Sequence, residues 1–361
     1  MKIKLITFTL ITAAIFIASC KDDDGNEPVG VVQDNTPYML SYGNFPAPNI
    51  ATDNQLTQQG VKLGRMLFYE KMLSADGTQA CASCHFQEFA FTDSAKFSTG
   101  IRGEKGGRNA ISVFNMAWNE NRFFWDGRAD LLRHQSLLPI QDELEMDETL
   151  ENVVKKLSES QMYKDQFIRV FGTDEITSEK MSLAMEQFMN SITSTNSKYD
   201  EFLQDSTVFS ESEKRGFQLF TTDYNPFFPK ESGADCQHCH SGLNFENDKY
   251  MNNGLDATFA DDGREKATED PADKGKFKVT SLRNIALTAP YMHDGRFKTL
   301  EEVVDHYNEQ IKASATLDPA LEQTREKGLF LTEQDKKDLV AFMKTLTDKD
   351  LTTNPEYSSP F

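Results

Sequence analysis

The chain has 361 residues, and its 57 aspartates and glutamates outnumber 38 lysines and arginines to give a formal net charge of −19. Such a surface repels a phosphate backbone, which excludes nucleic acid as a partner and leaves a basic protein as one it would attract. The five cysteines are an odd number and need a use other than a closed set of disulfides.

Met1-Lys2-Ile3-Lys4 is followed by an apolar run from Leu5 to Ala18 that ends at Ser19-Cys20. This is the layout of a secretory signal peptide, and the run is too short for an ordinary membrane span. Ile17-Ala18-Ser19-Cys20 resembles a bacterial lipobox, whose cleavage leaves the cysteine as a lipidated N-terminus, so Cys20 accounts for the odd cysteine. We therefore expect residues 1–19 to be a signal peptide. The mature protein is then exported, held to a membrane through a lipid anchor only, and faces the periplasm or the cell surface. Residues 20–49 carry Asp22-Asp23-Asp24, Pro28, Pro37, Pro46 and Pro48 with little periodic hydrophobicity, and read as a solvated, acidic, proline-rich tether.

From Asn54 the pattern turns helical, with Leu56, Gln59, Leu63, Met66 and Leu67 on one face, before Gly77 and Cys81-Ala82-Ser83-Cys84-His85. A C-x-x-C-H run is the attachment sequence of a c-type haem: the thiols add to its vinyl groups and the histidine becomes the proximal iron ligand. A zinc or redox CxxC pair would not require histidine directly after the second cysteine. Residues Thr149 to Phe171 and Thr177 to Ile192 read as amphipathic helices, the latter with Met181, Met185, Phe188, Met189 and Ile192. At helical spacing that methionine stripe is core rather than a set of iron ligands.

The second half opens in the same way. Ser210-Glu211-Ser212-Glu213 is a capping box, and Phe217, Leu219 and Phe220 lead to a second motif, Cys236-Gln237-His238-Cys239-His240. Gly64-Arg65-Met66-Leu67-Phe68 and Gly216-Phe217-Gln218-Leu219-Phe220 align, which supports two related domains. Thr332 caps a closing helix with Leu339, Phe342, Met343 and Leu346 inward, and no strand run is convincing. The expected fold is mostly α, with two cytochrome c-like domains, 50–205 and 206–361, each carrying one covalently attached haem c. All four motif cysteines are then used, and none remains for a disulfide.

Several motifs in order now resemble one family closely, from about Gln55 to Leu346: Leu63 to Phe68, the two CxxCH runs, Arg108-Asn109, Phe124-Trp125-Asp126-Gly127-Arg128-Ala129, Glu145-Met146, Leu282-Arg283-Asn284 and His293-Asp294-Gly295. That family is the bacterial di-haem cytochrome c peroxidases with their MauG-type relatives, which oxidise a protein substrate. The resemblance implies a helical two-domain fold and reduction of hydrogen peroxide at the first haem. The second haem would take electrons from a small cytochrome c or cupredoxin, and a homodimer is a candidate assembly.

The resemblance also assigns residues. Glu145 matches the acid-base carboxylate, Gln135 the polar residue beside it, and Trp125 the aromatic between the haems. Without the resemblance, Glu145 among Asp142, Glu143 and Asp147 reads as solvated surface. Asn109, Thr288 and Pro290 match a calcium site between the haems, while Arg283 and His293 are expected near haem propionates. Regulated members carry a distal histidine sixteen residues after the first proximal histidine, where this chain has Ile101. Ordinary members carry a methionine ligand fourteen residues after the histidine of His-Asp-Gly, where this chain has Tyr307, as MauG-type relatives do. Tyr307 is thus the expected second-haem ligand; it also reads as a helix-packing aromatic, with His306, Met292 or Met251 as ligand instead.

These readings point to a peroxidase, with two rivals. One is a MauG-type oxidase of a bound protein, favoured by Ile101 and Tyr307. The other is a non-catalytic electron carrier, which normally has two saturated haems and no use for Glu145.

Overall fold

The computed structural model describes residues 30–361; residues 1–29, with the expected signal run and Cys20, lie outside the described residues. In the first half come α1 (Gln58–Tyr69), α2 (Leu132–Gln141), α3 (Leu150–Ser158), α4 (Gln161–Phe171), α5 (Ser178–Ser191) and α6 (Lys198–Leu203). In the second come α7 (Glu211–Thr221), α8 (Glu265–Thr268), α9 (Leu300–Asp305), α10 (Pro319–Lys327), α11 (Glu333–Lys344) and α12 (Lys349–Thr353). The sheet among the described residues is one antiparallel pair, β1 (Tyr250–Met251) with β2 (Phe277–Lys278). Helices dominate, as the 3.6-residue periodicity of the chain requires.

Side chains at the helix starts satisfy amides that would otherwise lack partners. Thr57 accepts from the Gly60 N–H at the start of α1, and Ser210 with Glu213, and Thr332 with Asp335, form reciprocal capping boxes on α7 and α11. The expected helix from Thr149 to Phe171 is two helices, interrupted at Glu159 and Ser160. The Glu159 N–H bonds back to Leu157, Lys155 and Lys156 carbonyls, a tightened last turn that ends α3.

The internal repeat is physical. Helix α1 lies on α5 so closely that a Cβ on Gly64 would stand 1.9 Å from the Ala184 carbonyl oxygen. Helix α7 lies on α11 in the same way, with a Cβ on Gly216 standing 1.9 Å from the Asp338 carbonyl oxygen. Only glycine permits this approach of two backbones. Four residues on, Phe68 packs against Phe188 and Phe220 against Phe342, with ring centroids 5.4 and 5.1 Å apart.

Two buried hydrophobic clusters form around these pairs, one including Leu63, Phe68, Phe91 and Phe188, the other Phe220, Phe245, Phe342 and Leu346. The chain after Leu346 returns to the first cluster, where Leu351 and Tyr357 are buried. Arg65 donates to the Ser358 carbonyl at 2.6 Å, and Tyr69 donates to the Tyr357 carbonyl at 2.7 Å. The expected division at 205/206 therefore leaves out a crossing tail.

Candidate functional site

Each CxxCH run begins as a short 3₁₀ turn, Cys81–Ser83 and Cys236–His238, with the histidine N–H donating back to the first cysteine carbonyl at 3.0 and 2.9 Å. The four cysteines are free thiols, half-buried. His85 Nδ1 meets the Phe91 carbonyl at 2.8 Å, and His240 Nδ1 meets the Phe245 carbonyl at 3.1 Å. Both phenylalanines sit in the left-handed region, φ 59° and 52°, which turns their carbonyls back toward the imidazoles. Fixing Nδ1 selects the tautomer and leaves Nε2 as the iron-binding nitrogen. Burial holds both imidazoles neutral, lowering His85 and bringing His240 down to about 4. A haem c fits this chemistry: paired free thiols, an oriented neutral imidazole, and a cavity beside each.

The first cavity, about 620 Å³, is lined by Cys84, His85, Gln135 and Glu145 among others. Gln135 comes from α2, and the turn at Asp142–Glu145 reverses the chain so that Glu145 faces the same space. Burial raises Glu145 to about 7, Asp142 adds to the rise, and Arg128 opposes it. The loop before it clamps the turn: the Ile101 N–H donates to the Glu145 carbonyl at 2.9 Å, and a Cβ on Gly100 would lie 2.1 Å from the Leu144 carbonyl oxygen. Ile101 itself does not line the cavity, and His85 is the one histidine among the described residues that does. His134 is exposed and bonded to Asp130 at 2.7 Å.

The second cavity is smaller, about 220 Å³, and is lined by Cys236, Cys239, His240, Met251, Met292 and Tyr307 among others. Tyr307 sits on a single π-helical turn, His306–Gln310, which widens the end of α9. Burial pushes its phenol well above the ordinary range, and Asn253 Nδ2 is 3.5 Å from its oxygen. His306 is turned away: its Nε2 meets the Asn253 carbonyl at 2.9 Å, and it does not line the cavity. Met251 sulfur lies 3.5 Å from Cys239 sulfur, at the attachment edge. Met292, with φ 76°, remains on the wall beside Tyr307.

Trp125 lines both cavities. Its indole N–H donates to the Asn109 carbonyl at 2.7 Å, and its ring meets His293 edge-on at 6.5 Å. His293 lines the second cavity, stacked on Phe277 at 3.6 Å, and burial lowers it to about 4. Asn109, Thr288 and Pro290 share the wall of the first cavity. The Asn109 amide nitrogen donates to the Ala95 carbonyl at 3.0 Å.

Arg283 is elsewhere. Its guanidinium grips Asp200 with two bonds of 2.8 and 2.7 Å and donates from Nε to the Leu243 carbonyl at 2.7 Å. It is buried in that ion pair and lines neither cavity. One residue escaped the sequence reading: Glu246, six residues after His240, lines the first cavity from the second half. Burial raises it to about 7, Asp248 adds to this, Lys278 opposes it, and the Asn244 amide donates to its carboxyl. A lone glutamate between Phe245 and Asn247 carries no signal of that placement.

Comparison with known proteins agrees with this geometry. Residues 58–208 match the family model described as di-haem cytochrome c peroxidase. Methylamine utilization protein MauG of Methylophilus methylotrophus is 31% identical over 304 residues, covering 84% of this chain and 86% of that protein. Cytochrome c551 peroxidase of Nitrosomonas europaea is 33% identical over 291 residues, 79% of either chain. The crystal structure of a MauG-like protein associated with microbial copper homeostasis gives a TM-score of 0.78 at 34% identity, covering 88% of this chain and 97% of that one.

Proposed function

The chain belongs to the family of di-haem cytochrome c peroxidases and MauG-type proteins, and from that premise we propose that it reduces hydrogen peroxide to water with electrons from a small cytochrome c or cupredoxin. The observation that carries this reading is Glu145, a shielded carboxyl that shares with Gln135 the wall of the cavity of His85. Bound haem supplies the iron at which peroxide reacts and, in its second copy, a store for one oxidising equivalent. Per turnover, peroxide takes two electrons and two protons and leaves as two waters. Glu145 moves a proton within the substrate: one carboxylate oxygen accepts it from the near oxygen of peroxide and returns it to the far oxygen as the O–O bond breaks. Being near 7, the group is poised to act in both directions at neutral pH. The Gln135 amide orients the peroxide, and the Ile101 and Gly100 backbone keeps the Glu145 turn in place. The Trp125 indole, present in both walls, offers the electron a route from the second cavity to the first.

The rest of the assignment follows the same premise. Residues 50–205 would hold the peroxidatic haem and 206–361 the electron-transfer haem, apart from the tail that packs on the first half; Tyr307 would hold the second iron, and Asn109, Thr288 and Pro290 would hold calcium. Export and lipidation at Cys20 would account for residues 1–29, whereas the expected solvated tether does not reach residue 49: Phe45 is buried, the Tyr38 N–H donates to the Leu56 carbonyl at 3.0 Å, and the Trp118 indole N–H donates to the Pro46 carbonyl at 2.9 Å. Among the described residues no helix is long and apolar enough to cross a membrane.

A MauG-type oxidase is the second reading, favoured by Tyr307 in the second wall. Steady-state peroxide consumption separates them. The peroxidase reading expects turnover that saturates with a reduced small cytochrome c or cupredoxin. No donor-dependent turnover, with peroxide-driven oxidation of an added protein instead, would favour the second.

A further inference from the structure

The wall common to the two cavities holds a charge with no role so far. Lys278, on β2, has a side chain 7% exposed and lines both cavities. Its backbone N–H donates to the Trp125 carbonyl at 2.8 Å, which sets it beside the tryptophan. Its Nζ donates to the Asn121 carbonyl at 2.8 Å and to an Asp248 carboxylate oxygen at 2.9 Å. An ammonium has three N–H donors. The third has no oxygen acceptor among the described residues; the Tyr250 ring lies 5.7 Å from Nζ.

The cationic side chains of the two walls are unevenly shared. The first cavity has Arg108, Arg128, Lys266 and Lys278, whereas the second has Lys278 as its one lysine or arginine among the described residues. A haem brings two propionates, and an enclosed carboxylate is costly unless a donor or a counter-charge meets it. Arg283 is taken by Asp200.

We infer that the free donor of Lys278 receives a propionate of the second haem, and that Asp248 competes with that propionate for the ammonium, so that this pair sets the second haem's potential. The inference rests on the haem reading of Cys236–His240. A cation near the macrocycle favours the state with the extra electron and an anion disfavours it, so the two residues act with opposite sign.

The test is a spectroelectrochemical titration of the two-haem protein. With Lys278→Gln, the ratio of reduced to oxidised second haem at a fixed potential should fall at least threefold; with Asp248→Asn it should rise, and Lys278→Arg should stay within twofold of the parent. If Lys278→Gln does not fold, Asp248→Asn and Lys278→Arg decide by the same criteria. A smaller fall in Lys278→Gln, a fall in Asp248→Asn, or a larger change in Lys278→Arg overturns the inference. A parent protein lacking two haems by pyridine haemochrome assay would instead sink the haem reading itself.

Discussion

Around Cys81–His85 and around Cys236–His240 the chain repeats itself down to single hydrogen bonds, yet the walls facing the two imidazoles differ. On the near side, each has a 3₁₀ turn, a left-handed phenylalanine holding Nδ1, and a helix pair closed over a glycine. On the far side, the first imidazole meets space lined by Gln135 and Glu145, while the second meets a smaller space lined by Tyr307 and Met292. The near side is what any covalently held haem needs. The far side differs in its elements, α2 and the turn after it in the first half and the π-helical turn after α9 in the second, and on the reading proposed above it would divide labour between a proton-handling and an electron-handling site.

The largest expected effect breaks the polar wall. Glu145→Gln should retain both haems but slow peroxide turnover by about 10²–10⁴; undiminished turnover would remove Glu145 from the mechanism. Because burial raises the carboxyl to about 7, it loses its charge as pH falls through that value. The parent's peroxide reaction should therefore weaken below about pH 7, and Glu145→Gln should lack that limb.

Tyr307→Met makes the second wall like that of ordinary members. Thioether ligation favours the reduced iron, so the second haem's midpoint should rise by on the order of 100 mV. Potentiometric titration showing no rise would mean that Tyr307 is a packing residue.

Gly64→Ala and Gly216→Ala sharpen the likeness of the near sides. Alanine improves helix propensity by about 1 kcal/mol, but its methyl would meet a backbone carbonyl, and overpacking of this kind costs about 1–3 kcal/mol. Thermal melts should show a loss in both, and a loss in one alone would show that the two helix pairs do not tolerate strain alike.

The smallest expected effect is at His134→Ala. As His134 is exposed and outside the cavity wall, mixing the fully oxidised variant with peroxide should give the parent's immediate Soret change, at a rate within twofold. Inertness of the parent until one electron is added would mean that a distal ligand closes its iron.

Much of the near side was legible because its signals are local: the motifs, the capping boxes and the aligned Gly64 and Gly216 segments. Trp125, Gln135 and Glu145 were legible only through resemblance, since nothing in the sequence near Glu145 says that it turns inward. The ion pair of Arg283 and the placement of Glu246 were not legible because their partners are remote. Asp200 lies 83 residues from Arg283, and Glu246 is brought to the first cavity by a loop of the second half. The break between α3 and α4 carries no glycine or proline to announce it.

The crossing tail ties the first half to the end of the chain. Leu351 and Tyr357 complete a core begun by α1, and the Ser358 carbonyl accepts from Arg65 of that helix, 293 residues earlier. In chain order, α7 to α11 of the second half all precede this last wall of the first, which begins on α12. The first half therefore depends for its closure on residues that follow every paired helix of the second.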